Sequence, residues 1–248
     1  FMAGHPITGG VEDTPTQIYV GCHKGRTAGR VVGQWWLKDG AYACSSHQSF
    51  VAGIGSDGSV DKQTYGTLTI DGAGTTFHVG GPIGVGQSYD STGIVNLKDG
   101  GTLRAKTFWG ASSGRNGKSY VNFVGGTYEY TGWGATRLFG ISPDADNELD
   151  RSMTRVTVYA GGGAIELSSS QKDRMFGQPI HGATGRGVAS IPWADTESTF
   201  IGAPAIVIEG DGIGASAMAN YDPDTRTVSG FTVTSPGCDY TMATAYVL

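Results

Sequence analysis

The sequence predicts an all-β protein, a right-handed parallel β-helix (a β-solenoid) with a small β-sheet module at its C-terminal end. The first observation is composition: 42 of the 248 residues are glycine and only 16% are charged, against a usual share of about 7% glycine and about 25% charged residues. The second is a repeated unit built around a glycine-rich turn. The third is a period-two alternation of apolar and polar residues on both sides of that turn.

Composition and charge exclude several classes of protein. The glycines follow no three-residue period, which excludes collagen, and a net charge of only -5 with 10% aromatic residues argues against disorder. There is no Lys/Arg run, so a nucleic-acid partner is not expected, and no apolar stretch approaches the ~20 residues that cross a bilayer. HExxH and P-loop motifs are absent, which favours a non-enzymatic role.

Five segments share the unit of strand, glycine turn and strand. The last apolar residue before the turn recurs every 26 to 35 residues. These segments are 34–45, 67–79, 94–106, 120–130 and 155–167. A second, weaker repeat follows each turn and precedes a polar, variable stretch. It occupies 50–55, 82–87, 108–113, 138–143 and 175–179. Regular strands with one variable loop per unit are typical of a β-solenoid.

The alternation predicts which side chains face the core. Before the turn the inward residues are Trp35, Leu37, Leu68, Ile70, Val95, Leu97, Val121, Phe123, Val156 and Val158. After the turn they are Tyr42, Cys44, Phe77, Val79, Leu103, Ala105, Tyr128, Tyr130, Ile165 and Leu167. The interleaved residues should point outward, and before the turn these are Trp36, Thr69, Asn96, Asn122 and Thr157. After the turn they are Ala43, His78, Arg104, Glu129 and Glu166. A shift by one residue would exchange the two sets, so the alternation predicts the register.

The chain divides into four regions. Residues 1–33 form an N-terminal cap or an irregular first coil, and 34–167 carry the β-helix repeats. Residues 168–202 are a linker or a last irregular coil, and 203–248 form a C-terminal β-hairpin module. In this module the residues Asp222-Pro223-Asp224-Thr225 are of types that favour a turn. Because they lie between two apolar stretches, they predict a hairpin.

Both parts resemble known surface-protein families. The repeats, IVNLKDGGTLRAK above all, resemble the glycine-rich autotransporter-associated β-strand repeats of bacterial passenger domains over 34–167. VSGFTVTSPGCDYTMATA resembles a small β-module of large bacterial surface proteins and some phage structural proteins, which has glycine where Cys238 stands. The resemblance implies an extracellular or outer-surface location on a bacterium. The opening residues Phe1 and Met2 indicate a processed piece of a larger precursor.

We therefore expect an extracellular structural or adhesive protein. The open ends of a solenoid expose unpaired strands, which could join copies end to end into a filament or surface layer. The expected partners are copies of the chain and extracellular glycans. Two alternatives stay open: a β-helix polysaccharide lyase or glycosidase, and a segment like a phage fibre or tailspike.

The enzyme alternative depends on Arg104, Glu129 and Glu166 in the outward set. If the repeats stack in register, the two carboxylates lie about 5 Å apart, and such pairs have pKa values pushed apart, as retaining glycosidases require. The same three residues could instead form a solvated ladder in which Arg104 pairs with one glutamate at little energetic effect.

Two further sets of residues are candidate ligand sites. Trp36, Trp109 and Trp133 could stack on sugar rings, or they could cap the ends of the stack or pack under the long loops. His78 is a further candidate ligand residue. The acidic loop with Asp144, Asp146, Glu148 and Asp150 has alternating oxygen ligands suited to calcium, but it lacks the EF-hand glycine and could be a solvated loop. No other cofactor is expected.

The three cysteines are widely spaced, at Cys22, Cys44 and Cys238. There is no CxxC pattern, and the sequence indicates no zinc site. A buried free thiol is the interpretation for Cys44, and a Cys22–Cys44 disulfide stays open.

Overall fold

The computed structural model describes residues 17–22, 30–53, 63–111, 116–132, 137–140, 153–167, 174–195 and 197–248. Within these ranges the protein is all-β, with nineteen strands and no helix. The strands are β1 (Tyr19–Val20), β2 (Val31–Leu37), β3 (Tyr42–Ser45), β4 (Ser49–Val51), β5 (Thr64–Asp71), β6 (Thr76–Val79), β7 (Ile83–Val85), β8 (Ser91–Lys98), β9 (Thr102–Ala105), β10 (Phe108–Trp109), β11 (Lys118–Val124), β12 (Thr127–Tyr130), β13 (Arg155–Val158), β14 (Ala164–Leu167), β15 (Ile180–Gly182), β16 (Ile206–Gly210), β17 (Ile213–Asp222), β18 (Thr227–Cys238) and β19 (Ala243–Val247).

Strands β1 to β15 form three parallel sheets. One has four strands in the order β1-β4-β7-β10, one has six in the order β15-β13-β11-β8-β5-β2, and one has five in the order β14-β12-β9-β6-β3. From β1 to β12 the chain visits the three sheets in a fixed order, so each strand pairs with its equivalent in the next repeat. The weak repeat supplies β4, β7 and β10, and bridges at Phe139 and Met175 extend their sheet.

Pairing joins the equivalent positions that the alternation predicts. Leu68 pairs in register with Val95, and Val121 pairs with Val156. The turn between β8 and β9 has positive φ at Asp99 (46°) and Gly100 (88°), which is the left-handed region that Asp and Gly tolerate best. Local turn chemistry therefore ends each strand at the same point of the repeat.

A single apolar core lies among the three sheets. Thirteen of the predicted inward residues are at most 1% exposed there: Leu68, Ile70, Phe77, Val79, Val95, Leu97, Leu103, Ala105, Val121, Phe123, Tyr128, Tyr130 and Val156. Towards the later repeats the core becomes aromatic, because Phe108 lies 4.9 Å from Tyr128 and 5.3 Å from Phe139 between ring centroids. Such contacts add to the stabilisation that burial of apolar area gives.

The predicted inward set is wrong at the first repeat. Ala43 and Ser45 pair in register with the core residues Phe77 and Val79. Ser45 is buried and Ala43 packs against the core, whereas Tyr42 is 61% exposed. Cys44 therefore belongs to the outward column. The physical reason is the length of the turn after β2, which puts the first inward position one residue later than predicted.

The two regions that flank the repeats each add a strand to the parallel sheets. Region 168–202, predicted as a linker or a last irregular coil, contains β15, which pairs in parallel with β13 and continues the six-stranded sheet. Region 1–33, predicted as a cap or an irregular first coil, contains β1, which pairs in parallel with β4. Leu167, predicted inward, is 40% exposed because β14 is the edge strand of its sheet.

A column of glycines lets two sheets meet closely. Gly33, Gly66 and Gly93 pair in register across β2, β5 and β8. A Cβ atom on Gly66 would lie 2.5 Å from the backbone nitrogen of Ala52 and 2.6 Å from the carbonyl oxygen of Val20. Only a residue without a side chain fits there.

The C-terminal strands form two antiparallel pairs. β17 pairs with β18 around the Asp222–Thr225 turn, where the sequence predicts a hairpin, and β16 pairs with β19. A second, smaller core holds Ile206, Ile208, Ala215, Ala217 and Tyr240. Gln34 of β2 donates from Nε2 to the carbonyl oxygens of Ile206 (2.9 Å) and Ala217 (3.0 Å), so the module is hydrogen-bonded to the six-stranded sheet.

The three cysteines are free thiols, so Cys22 and Cys44 do not form a disulfide. Burial raises the pKa of the Cys22 thiol to about 12, which keeps it protonated. In the part of the chain that the structure covers, no helix has the length and apolarity needed to cross a membrane.

Candidate functional site

The outward residues after the turn form a continuous ladder on the five-stranded sheet. His78 pairs in register with Arg104, Arg104 with Glu129, and Glu129 with Glu166. Cys44 takes the place predicted for Ala43, beside His78. The sequence therefore predicts the neighbours in this ladder correctly from His78 onwards.

Arg104 and Glu129 form an ion pair in the middle of the ladder. Arg104 Nε lies 2.8 Å from Glu129 Oε2, and both side chains are about a third exposed (39% and 30%). The pKa of His78 is lowered by partial burial and then by the Arg104 charge, with Glu129 opposing them. A half-exposed ion pair of this kind contributes about 0–1 kcal/mol to stability. The ladder thus has the chemistry of a paired polar strand surface.

Trp36 is half-buried at the edge of the six-stranded sheet. Its indole Nε1 donates to Asp71 Oδ2 (3.1 Å), and Lys38 Nζ lies 4.9 Å from the ring centroid. Asp71 also pairs with Lys98, at 3.2 Å. The indole is therefore held by a charged cluster at the turn rather than standing free as a stacking platform.

The remaining candidate ligand residues are not brought together. Trp109 lies in β10 of the four-stranded sheet, His78 in the five-stranded sheet and Trp36 in the six-stranded sheet. Trp133 lies outside the described residues, as do the calcium candidates Asp144, Asp146, Glu148 and Asp150. Calcium binding by that loop stays a prediction.

The outward residues before the turn form a second column, which is buried. Thr69, Asn96, Asn122 and Thr157 are paired in register and are at most 2% exposed. They point outward, as the sequence predicts, but β17 and β18 cover them. One signal in the sequence could have indicated this: the column holds only uncharged polar residues, whereas the solvent-facing ladder holds Arg104, Glu129 and Glu166.

Hydrogen bonds satisfy the middle of the covered column. Asn96 Nδ2 donates to Thr69 Oγ1 and to Ser216 Oγ of β17, both at 2.9 Å. Asn122 Nδ2 donates to Asn96 Oδ1 (2.9 Å) and to the carbonyl oxygen of Gly214 (3.0 Å). Because a buried amide without partners costs about 1–3 kcal/mol, these bonds select one position of the hairpin on the sheet.

Beside the buried column, the six-stranded sheet and the C-terminal module are separated by a cleft of about 510 Å³. Its sheet side is formed by the first residues of β5, β8 and β11, and its other side by the turn from β16 to β17 and by Tyr240. Sequence reasoning missed this cleft, because its two sides come from the repeats and from the C-terminal module, which are far apart along the chain and share no repeated pattern.

No protein-family model, no curated protein and no solved structure matches this chain. Its function is therefore argued from its own geometry.

Proposed function

We propose that the three parallel sheets are the faces of a right-handed parallel β-helix, and that the protein is an extracellular structural component of a bacterial surface that joins copies end to end. Two features support the β-helix: the recurring order in which the chain visits the sheets and the parallel, in-register pairing of successive repeats. Right-handed connections between parallel strands are strongly favoured, because twisted strands pack back on the sheet only in that sense.

The observation that carries the assembly proposal is an apolar patch on the last strand of each sheet. Leu167 of β14 is 40% exposed and Ile180 of β15 is 36% exposed. Met175 and Phe176, which extend the four-stranded sheet, are 51% and 49% exposed. Four exposed large apolar side chains at one end of three sheets are unusual for a soluble surface and typical of an interface.

The opposite end offers a matching partner. There the edge strands are β1, β2 and β3 of the same three sheets, and Tyr19 and Tyr42 are 44% and 61% exposed. A second copy placed head to tail would continue every sheet with the same parallel pairing and would cover the apolar patch. Contacts of this kind do not close on themselves, so they produce a linear polymer.

Sedimentation of the purified chain over a concentration series, with negative-stain electron microscopy, tests the proposal. We expect oligomers that grow with concentration and appear as filaments. Leu167→Lys should remain monomeric, because it places a charge in the proposed joint. Ala73→Lys, at an exposed position in the turn between β5 and β6 rather than on an edge strand, is the matched control and should assemble like the unmodified chain.

A chain that stays monomeric throughout the series would disprove head-to-tail assembly. So would polymers that Leu167→Lys and Ala73→Lys affect equally, because the joint would then lie elsewhere.

A further inference from the structure

The cleft between the six-stranded sheet and the C-terminal module has tyrosines on both of its sides. Tyr65 and Tyr120 come from β5 and β11, and Tyr240 comes from the module. Tyr65 donates its hydroxyl proton to the carbonyl oxygen of Ile208 (3.3 Å), and the Tyr240 hydroxyl accepts from the backbone N–H of Ala215 (3.4 Å). Two of the three phenols are thus anchored to the backbone of the module.

These phenols are neutral at physiological pH. Burial raises the pKa of Tyr120 to about 12 and raises that of Tyr65 further, and neighbouring tyrosines add to both shifts. Each hydroxyl can therefore both donate and accept a hydrogen bond. Tyr65 is partly exposed, whereas Tyr120 and Tyr240 are only 6% and 7% exposed, so Tyr65 is the most accessible of the three tyrosines that line the cleft.

The charges around the cleft are balanced. Two cations and two carboxylates line it, namely Arg30, Lys118, Asp90 and Glu209. Arg30 Nη2 lies 2.8 Å from Glu209 Oε1. Next to β8 and β11, the backbone N–H of Asp90 donates to Asn116 Oδ1 (2.8 Å), and the Asn116 amide donates back to the Asp90 carboxylate. A lining with no net charge gives no general attraction for phosphate or another anion.

We propose that this cleft binds a short neutral saccharide. A sugar offers hydroxyls that both donate and accept, which matches the phenols, amides and paired charges, and an apolar ring face, which matches Tyr65. A volume of about 510 Å³ lies within the range of small-molecule sites. The cleft is lined by the first residues of β5, β8 and β11 and by the module, and it includes none of the exposed apolar residues of the proposed joint, so the inference does not depend on head-to-tail assembly.

Titration of the ¹⁵N-labelled chain with maltotriose, cellotriose and chitotriose, followed by NMR, tests the inference. At least one of the three should shift the amide signals of Thr92, Gly214 and their neighbours at the cleft. Tyr65→Phe and Lys118→Ala should each weaken that binding by about tenfold, which corresponds to 1.4 kcal/mol. Lys38→Ala, an exposed lysine outside the cleft, is the control and should bind like the unmodified chain.

The unfolding midpoints of both cleft variants, compared with that of the control, separate lost binding from lost fold. The inference is overturned if no trisaccharide shifts the cleft signals of the folded chain. It is also overturned if the folded cleft variants bind as well as Lys38→Ala does, or if trigalacturonate binds where the neutral sugars do not. Each of these results would leave the assembly proposal untouched, since that is measured by sedimentation.

Discussion

Asn96 and Asn122 lie side by side on β8 and β11, and Asn122 donates its amide N–H to Asn96 Oδ1 over 2.9 Å in a space that the C-terminal hairpin closes. The two side chains connect the repeats to the module, because their other amide protons reach Ser216 and Gly214. These hydrogen bonds hold the module on the sheet, and the module in turn forms one side of the cleft.

Asn96→Ala should destabilise the protein by about 2–4 kcal/mol, because it leaves the Asn122 amide and the Ser216 hydroxyl with fewer buried partners. Urea unfolding at neutral pH measures the loss. Asn220→Ala, at an exposed position where Oδ1 accepts from Thr232, is the matched control and should cost less than about 1 kcal/mol. Equal effects of the two substitutions would mean that the buried amide does not hold the module in place.

Gly66→Ala should destabilise the protein by at least about 3 kcal/mol, because the new Cβ meets backbone atoms that cannot move independently of their sheets. Gly202→Ala, where nothing lies within 4 Å of the added Cβ, should be close to neutral. The unfolding midpoint of each variant, or its soluble yield if Gly66→Ala fails to fold, makes the comparison. A Gly66→Ala protein as stable as Gly202→Ala would contradict the close approach of the two sheets.

His78 should titrate below its usual pKa of 6.5, because partial burial and Arg104 disfavour the imidazolium. Arg104→Gln should raise that pKa and Glu129→Gln should lower it, because each removes one charge from the ladder. An NMR titration of the imidazole signals measures both shifts, and Lys38→Gln should leave the value unchanged. A His78 pKa that falls in Arg104→Gln, or rises in Glu129→Gln, would show that the three side chains are not neighbours.

The same depression has a consequence for stability. The unfolded chain binds a proton at His78 more readily than the folded chain does, so acidification through the usual pKa destabilises the fold. His78→Gln should therefore lose less stability than the unmodified chain when the pH is lowered from 7 through 6.5. Denaturant unfolding at a series of pH values measures this difference.

Asp211 should make an acid-dependent contribution to the module. Its carboxylate accepts from the backbone N–H groups of Thr241 and Met242, each at 3.0 Å, and from the Thr241 hydroxyl, which lowers its pKa to about 2. A carboxyl group with a lowered pKa stabilises the fold above its usual value of 3.8, and this contribution disappears as the pH falls towards 2.

Asp211→Asn should accordingly be less stable than the unmodified chain at neutral pH, and the two should converge between about pH 4 and pH 2. Thermal unfolding across that range measures the difference. A difference that stays constant down to pH 2 would mean that the Asp211 carboxylate does not hold this turn.

The alternation of apolar and polar residues and the turn residues were sufficient to predict the repeated strands and the direction of most of their side chains. Val95 and Leu97 face the core, and His78, Arg104, Glu129 and Glu166 are neighbours, because side-chain direction along a strand depends only on local backbone geometry. The same reasoning failed at Ala43, where the length of the preceding turn set the phase, and at β15, whose three exposed residues have no alternation to reveal them.

By itself, the sequence determined the all-β class, the positions of the repeated strands and the hairpin at Asp222–Thr225, all of which depend on residues close together in the chain. Only the tertiary structure decided that the hairpin covers Asn96 and Asn122, and that Tyr65 and Tyr240 line one cleft. Docking of the module depends on complementary surfaces that are far apart in sequence. A local hydrophobic pattern distinguishes the inner face of a strand from its outer face, but it contains no information about what lies on the outer face.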